Sequence, residues 1–264
     1  MGTDSNMWSS GTAYEVFIGR WSRLVAREFL AWLSVPRGRS WLDVGCGTGA
    51  LSQAILSAVE PSAVRGVDPS EGYIAGARVS TPDPRATFVV GDAQALPVES
   101  GAYDVVVSGL VLNFVPDPAQ AVAEMARVAT PGGTVAVYVW DYADQMRLLR
   151  HFWDAAVALD PRARDLDEGS RFTICQPDSL ARLVADAGRR GVLTRAIDVP
   201  TVFRDFDDYW SPFLGGQGPA PSYVASLDDE QRAALRKRVR ASLPVAADGS
   251  IALIARAWAV RGSR

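Results

Sequence analysis

An α/β fold built on a doubly wound, mostly parallel sheet with helical lid insertions is what this sequence predicts, on three observations. Apolar runs rich in β-branched residues recur at residues 41–44, 63–68, 86–90, 103–108 and 134–140. Helix-patterned stretches at 50–59, 71–79 and 119–128 separate them. A glycine cluster, Leu42-Asp-Val-Gly-Cys-Gly-Thr-Gly-Ala50, follows the first run directly.

Strands separated by helices at intervals of about 20 to 30 residues need crossover connections, and crossovers make neighbouring strands parallel and buried on both faces. Two later runs, 192–203 and 251–260, bring the count to seven strands and complete a Rossmann-like sheet. Three helical blocks lie outside the alternation. The first is an amphipathic stretch over 14–33, the second covers 143–159, and the third covers 205–243. The third contains Phe206-Asp-Asp-Tyr-Trp-Ser-Pro-Phe213 and a helix whose start is signalled by Ser226 with Asp229 three residues on. Trp8, Trp21, Trp153, Tyr209, Trp210 and Phe213 make these blocks aromatic. They read as a lid over the carboxyl ends of the strands, where open sheets bind ligands; ordinary packing on the sheet is the alternative for any one ring. The whole, residues 1–264, reads as one domain: a helical cover at 1–38, a core at 39–140, lid insertions at 141–175 and 205–248, and the final strands.

Composition excludes several chemistries. With 48% hydrophobic and 22% charged residues, the 264-residue chain can bury one large core. A net charge of -3 gives no basic footprint for nucleic acid or an anionic membrane. Lys237 is the only lysine and lies in Arg236-Lys-Arg238, which disfavours Schiff-base catalysis. One histidine, His151, and two distant cysteines, Cys46 and Cys175, do not make a metal site, so none is expected. The Gly-x-Ser-x-Gly and Gly-x-x-x-x-Gly-Lys-[Ser/Thr] signatures are missing. With no signal-like start and no apolar stretch near the ~18 residues that span a bilayer, the reading is a soluble cytoplasmic protein; oligomeric state is not legible.

The glycines locate the chemistry. Gly45, Gly47 and Gly49 let the chain turn sharply and bring a ligand against bare backbone at a helix start. Alone they also satisfy the relaxed dinucleotide pattern Gly-x-Gly-x-x-[Gly/Ala], which leaves a nicotinamide cofactor open. Three acidic positions narrow the choice. Asp43 lies two residues before the first glycine, where a buried acid calls for a cation or donors such as an ammonium group. Asp68 ends the second strand, where an acid accepts ribose hydroxyls. Gly91-Asp-Ala-Gln94 ends the third strand and offers a carboxylate and an amide to an adenine edge. A nucleoside carrying a zwitterionic amino acid would use all three.

Leu42–Gly49, Gly66-Val-Asp-Pro-Ser70, Gly91-Asp-Ala-Gln-Ala-Leu-Pro97 and Arg127-Val-Ala-Thr-Pro-Gly-Gly133, in this order, resemble the motifs of class I S-adenosylmethionine-dependent methyltransferases. The likeness is nearest to the small-molecule branch that includes ubiquinone and menaquinone biosynthesis enzymes. It covers residues 14–140 well, and the two later strands suit the family's seven-stranded sheet with its antiparallel last strand. The resemblance implies S-adenosylmethionine as cofactor and a role for each matching position. Gly45, Cys46 and Gly47 would lie against the methionine part, with Asp43 near its ammonium. Asp68, Pro69 and Ser70 would hold the ribose, and Asp92, Ala93 and Gln94 the adenine. Ser108 and Gly109 would supply backbone near the sulfonium. Tyr14, Arg20 and Trp21 resemble the family's cover over the cofactor carboxylate, Arg20 as the partner of that anion.

Methyl transfer from a sulfonium is an in-line displacement with a neutral leaving group, so alignment in a dry pocket does much of the work and a base is needed only where the nucleophile must lose a proton. The run Ser108-Gly-Leu-Val-Leu-Asn-Phe114 lacks the [Asp/Asn]-Pro-Pro-[Tyr/Phe] signature of base and glutamine amino methylation. Asp141 and Tyr142, just past the fifth strand, are the candidates nearest the acceptor by topology; His151 has a suitable ordinary pKa, and Asn113 could orient substrate. Glu168 reads as a solvated loop charge. The acceptor implied is a small hydrophobic or aromatic metabolite, methylated at carbon, oxygen or nitrogen. The rivals are an NAD-dependent oxidoreductase and a non-catalytic S-adenosylmethionine-binding regulator.

Overall fold

Strands and helices alternate through the first half of the chain in a computed structural model that describes residues 19–215 and 218–263. In order they are α1 (Arg20–Leu33), β1 (Ser40–Val44), α2 (Ala50–Ala58), β2 (Ala63–Asp68), α3 (Glu71–Ser80), β3 (Ala86–Val90), β4 (Tyr103–Gly109), α4 (Pro118–Val128) and β5 (Ala129–Trp140). Helices α5 (Arg147–Leu159), α6 (Glu168–Arg171) and α7 (Pro177–Asp186) follow, then β6 (Arg190–Phe203), α8 (Phe206–Trp210), α9 (Pro219–Ser226), α10 (Asp229–Ser242) and β7 (Ile251–Ser263).

The seven strands form one sheet in the order β3-β2-β1-β4-β5-β7-β6. β1 pairs in parallel with β2 and β4, β2 with β3, and β4 with β5. The chain therefore winds outward from β1 through β3 and returns to β4 at β1's other side, which makes a switch point at the carboxyl ends of β1 and β4. Burial on both faces explains the near-continuous apolar runs: Val105, Val106 and Val107 of β4 and Val135, Ala136 and Val137 of β5 are all buried. On α1, Trp21, Val25, Ala26, Phe29, Leu30 and Leu33 are buried at helical spacing. Phe29 packs on Tyr138, ring centroids 4.6 Å apart. Each such large side chain taken from water contributes roughly 1.5 to 3 kcal/mol before entropy is counted.

Backbone proximity groups the described residues into two units. One holds Arg23–Val139, Gln176–Ile197 and residues 258–263; the other holds residues 19–22, Trp140–Cys175 and Asp198–Ala257. Strands β5, β6 and β7 each have residues in both units. Among the described residues no helix is long and apolar enough to cross a membrane, and no three His, Cys, Asp or Glu side chains stand together as metal ligands.

Several sequence expectations need adjustment. β5 begins at Ala129 rather than Thr134, because Ala129 pairs with Tyr103 and Thr134 with Val105; the extra residues bulge, with Gly132 at φ 79°. The helix expected from residue 143 begins at Arg147, since Asp141 first holds a turn by accepting the Asp144 and Gln145 N–H groups. The start of α10 is not Ser226. That hydroxyl closes α9 by donating to the Tyr223 carbonyl, and Asp228 is the cap, in a reciprocal box with Gln231. Helix α7 is an addition to the expected elements; Pro177 at its first turn and buried Leu180 and Val184 four residues apart mark it in the sequence.

Candidate active site

The glycine loop leaves β1 and enters α2. Gly45, Gly47 and Gly49 have φ of 74°, 52° and 93°, a region that disfavours side chains. At Gly45 space is excluded as well: a Cβ would come within 2.5 Å of Val111 Cγ1, so the turn after β4 seats against this glycine. The loop's donors are engaged internally. Gly45 and Cys46 N–H both donate to the Val67 carbonyl, at 2.7 and 3.0 Å, and Gly47 N–H donates to Asp68 Oδ2 at 3.0 Å. Those three amides do not await a phosphate. Cys46 turns its thiol into a small core with Ile74, Ala77 and Phe88, within 3.8 Å of the Gly47 carbonyl oxygen, and burial pushes its pKa far up.

The acids at the strand ends differ in environment. Asp43 is 1% exposed; Ser52 of α2 donates to its Oδ2 at 2.7 Å, while Oδ1 has no partner among the described residues. Burial first, and Asp68 in smaller part, push its pKa up to about 7. Asp68 is 8% exposed and accepts from Gly47 N–H and, at Oδ1, from Ser70 N–H at 2.9 Å; burial raises its pKa despite those bonds. Two backbone bonds leave further lone pairs on this carboxyl for hydroxyl donors. Ser70, after Pro69, caps α3 by accepting the Tyr73 N–H.

Asp92 is exposed and accepts Gln94 N–H at 2.8 Å. Gln94 is less available than the sequence implies: its amide nitrogen reaches Asp92, and its Oε1 accepts the Asp117 N–H at 3.0 Å. Ala93 is buried. Ser108 is 1% exposed with an unpartnered Oγ, and Gly109 has no room for a Cβ, which would lie 2.5 Å from Tyr138 Oη. Beyond it, Leu110 takes φ 63°, a strained conformation for a large side chain. Asn113 follows with both carboxamide atoms shielded and without hydrogen-bond partners among the described residues. Strain and unsatisfied polar groups thus gather at the end of β4 beside the glycine loop, as functional sites commonly require.

Of the predicted cover, Tyr14 lies outside the described residues. Arg20 begins α1, and Trp21 packs edge-on against Phe203 at 5.2 Å. Asp141 is 3% exposed, and its raised pKa comes first from burial. Tyr142 is buried with its ring 5.7 Å from Phe172. The His151 Nδ1 lies 3.1 Å from Ser242 Oγ; burial and then Arg147 lower its pKa, which keeps the imidazole neutral at pH 7. Glu168 corrects the sequence reading outright. It is 4% exposed, held by the Trp153 indole, and raised to about 7 by burial.

S-adenosylmethionine fits this donor set: an unpartnered buried carboxyl oxygen at Asp43 for an ammonium, an acceptor-rich carboxyl at Asp68 for a diol, and bare backbone between them. Comparison with known proteins agrees. The methyltransferase domain family matches residues 42–137. The chain is 31% identical over 188 residues to 2-methyl-6-phytyl-1,4-hydroquinone methyltransferase of Synechocystis, covering 70% of this chain and 58% of that one. It is 30% identical over 188 residues to demethylmenaquinone methyltransferase of Staphylococcus aureus, covering 67% and 76%. The chain spans about half the length of several curated relatives, 49%, 58% and 48% for three of them. In fold it is similar to the YcgJ protein of Bacillus subtilis, with a TM-score of 0.59 at 16% identity over 90% of this chain and 97% of that one. The chain belongs to the class I S-adenosylmethionine-dependent methyltransferases.

Proposed function

We propose that this chain methylates a small hydrophobic or aromatic metabolite. The observation that carries the reading is the glycine loop whose amides are engaged internally, flanked by Asp43 and Asp68. A pyrophosphate would meet two carboxyls and occupied donors there; an adenosyl amino acid meets matching partners. When bound, the cofactor supplies a methyl on a sulfonium, which passes to the acceptor as the sulfur leaves as a neutral thioether. The protein's part is orientation. Asp43 takes the ammonium, Asp68, Pro69 and Ser70 the ribose, and Asp92 with the Ala93 and Gln94 segment the adenine. Gly45, Cys46 and Gly47 line the methionine stem, and Ser108 and Gly109 line the reacting end.

Asn113 is the acceptor-side group with the firmest support, because a carboxamide with two unsatisfied atoms gains most from a ligand that both donates and accepts. Asp141, Tyr142 and His151 remain candidates, with Asp141's oxygens already holding its own turn. The names of the relatives support a hydroquinone-like or quinone-derived ring as acceptor. We read residues 1–264 as one methyltransferase domain, since three strands run through both units. The two buried free cysteines suit a reducing compartment, in keeping with a cytoplasmic location.

A thermal-shift comparison tests the reading, since a ligand stabilises the state that binds it. S-adenosylhomocysteine should raise the melting temperature and NAD should not; the reverse would sink the assignment. Transfer of labelled methyl from S-adenosylmethionine into a metabolite extract then separates an enzyme from a binding protein.

A further inference from the structure

A buried carboxyl just after α5 takes no part in the chemistry above. Glu168 opens α6, and its Oε2 accepts the indole N–H of Trp153, on α5, at 2.5 Å. One residue earlier, Asp167 caps α6 by accepting the Gly169 N–H at 2.8 Å and holds Arg150 Nη2, also on α5, at 2.7 Å. The side chains of that ion pair are only 10% and 9% exposed. Arg150 and Trp153 lie three residues apart and so share a helix face. Two successive acids thus fasten the segment 160–175 to one stripe of α5. Gly169 makes the seat possible: a Cβ there would come within 2.7 Å of both Arg150 Nη1 and the Tyr142 carbonyl oxygen.

The two fastenings differ chemically. Asp167 has a guanidinium opposite it; Glu168 has a neutral indole. Besides burial, the groups acting on Glu168 are its own backbone N–H and the Trp153 indole N–H, whose hydrogen bonds favour its charge, then Asp167 from its own turn, which opposes it, and Arg150 from α5, which favours it. Tyr223 of α9 adds an uncharged ring 5.8 Å from that of Trp153. Burial outweighs all of these, and it favours the protonated acid.

We propose that Glu168 is a proton-linked latch: its neutral carboxyl holds residues 160–175 against α5, and its ionisation loosens that segment. The sign follows from linkage. A carboxyl that binds its proton more tightly in the closed state than in the open one loses closing free energy as pH rises from its ordinary value of 4.5 to about 7. Above that range the loss is complete.

Amide hydrogen exchange on the full chain, corrected for the intrinsic rate, measures the opening of residues 160–175 at pH 5.5 and 7.5. The opening constant should rise on the order of tenfold in the native protein. In Glu168→Gln, whose amide oxygen still accepts the indole N–H, it should stay level. The Trp153 indole resonance, identified by its loss in Trp153→Phe, should shift over the same pH range, and that readout needs no folded Gln variant. An opening constant independent of pH, an equal rise in Glu168→Gln, or a static indole resonance would each overturn the latch.

Discussion

Replacing Asp68 by alanine should damage folding and cofactor binding in separable amounts. The carboxyl accepts two backbone N–H groups, from Gly47 at 3.0 Å and Ser70 at 2.9 Å, and is 8% exposed. Each amide left without its partner costs about 1 to 3 kcal/mol, and the open crevice lets water recover part, so the stability loss should be about 2 kcal/mol. For a chain of this size that lowers Tm by about 4 to 8 °C. Lost hydrogen bonds to the ribose should add about 1 to 3 kcal/mol in binding, roughly a 5- to 150-fold weaker Kd for S-adenosylhomocysteine. Asp68→Asn keeps one acceptor oxygen but turns an NH2 toward the second donor, so it should fall between the two. Denaturant titration gives the first quantity and calorimetry the second. A variant that loses stability while keeping its affinity would refute the ribose assignment and leave Asp68 as a loop staple only.

Gly45→Ala adds a methyl that meets Val111 at 2.5 Å on a backbone at φ 74°. Strain and overpacking together should cost about 2 to 5 kcal/mol, read by denaturant unfolding; a loss under 1 kcal/mol would mean that the turn after β4 yields freely. Asp43 predicts a pH effect. Its folded pKa of about 7 exceeds the ordinary 3.8, so the native protein binds the proton more tightly, and stability should fall as pH climbs between those values. Asp43→Asn removes the titration, and its stability relative to wild type should improve by on the order of 2 to 3 kcal/mol between pH 5 and pH 8. Parallel pH curves for the two proteins would contradict a buried, titrating carboxyl. Asn113→Leu should leave S-adenosylhomocysteine affinity unchanged and cut methyl transfer at least tenfold; equal loss in both measurements would make Asn113 a scaffold residue instead.

The parts of this molecule that the sequence disclosed are those governed by local rules. β2 and β3 agree with the sequence reading residue for residue, because each is a short valine-containing run bounded by turn residues: Pro61 and Pro69 around β2, Pro84 and Gly91 around β3. The glycine loop was legible because positive φ leaves glycine little competition. What escaped depends on contacts distant in sequence. Nothing near Glu168 says that Trp153, 15 residues away, will bury it, so its charged neighbours Asp165 and Asp167 made it look solvated. Ser226 and Asp228 both offer a capping oxygen within one turn, and only the path of the chain out of α9 decides between them. Gln94 has the right chemistry for adenine, yet the Asp117 N–H from the start of α4 claims its oxygen.

The same distinction bears on how this family's loop selects its ligand. A Gly-x-Gly loop is commonly credited with binding through its amides, and on sequence alone that leaves dinucleotides and S-adenosylmethionine equal. Here the amides of residues 45–47 all point back to the end of β2, two to the Val67 carbonyl and one to Asp68. The loop's own hydrogen bonds therefore fix its shape, and we propose that selectivity passes to the carboxyls. Asp43 and Asp68 lie at the ends of neighbouring parallel strands, and Asp68 raises the Asp43 pKa. Two acids that oppose each other's ionisation repel an anionic pyrophosphate and gain from a ligand that carries a cation near one and hydroxyls near the other. Exchanging Asp43 and Asp68 for asparagines should then narrow the preference for S-adenosylhomocysteine over NAD by weakening the former, without any change in the glycines; calorimetry with both ligands reads that ratio, and an unchanged ratio would return the selectivity to the loop.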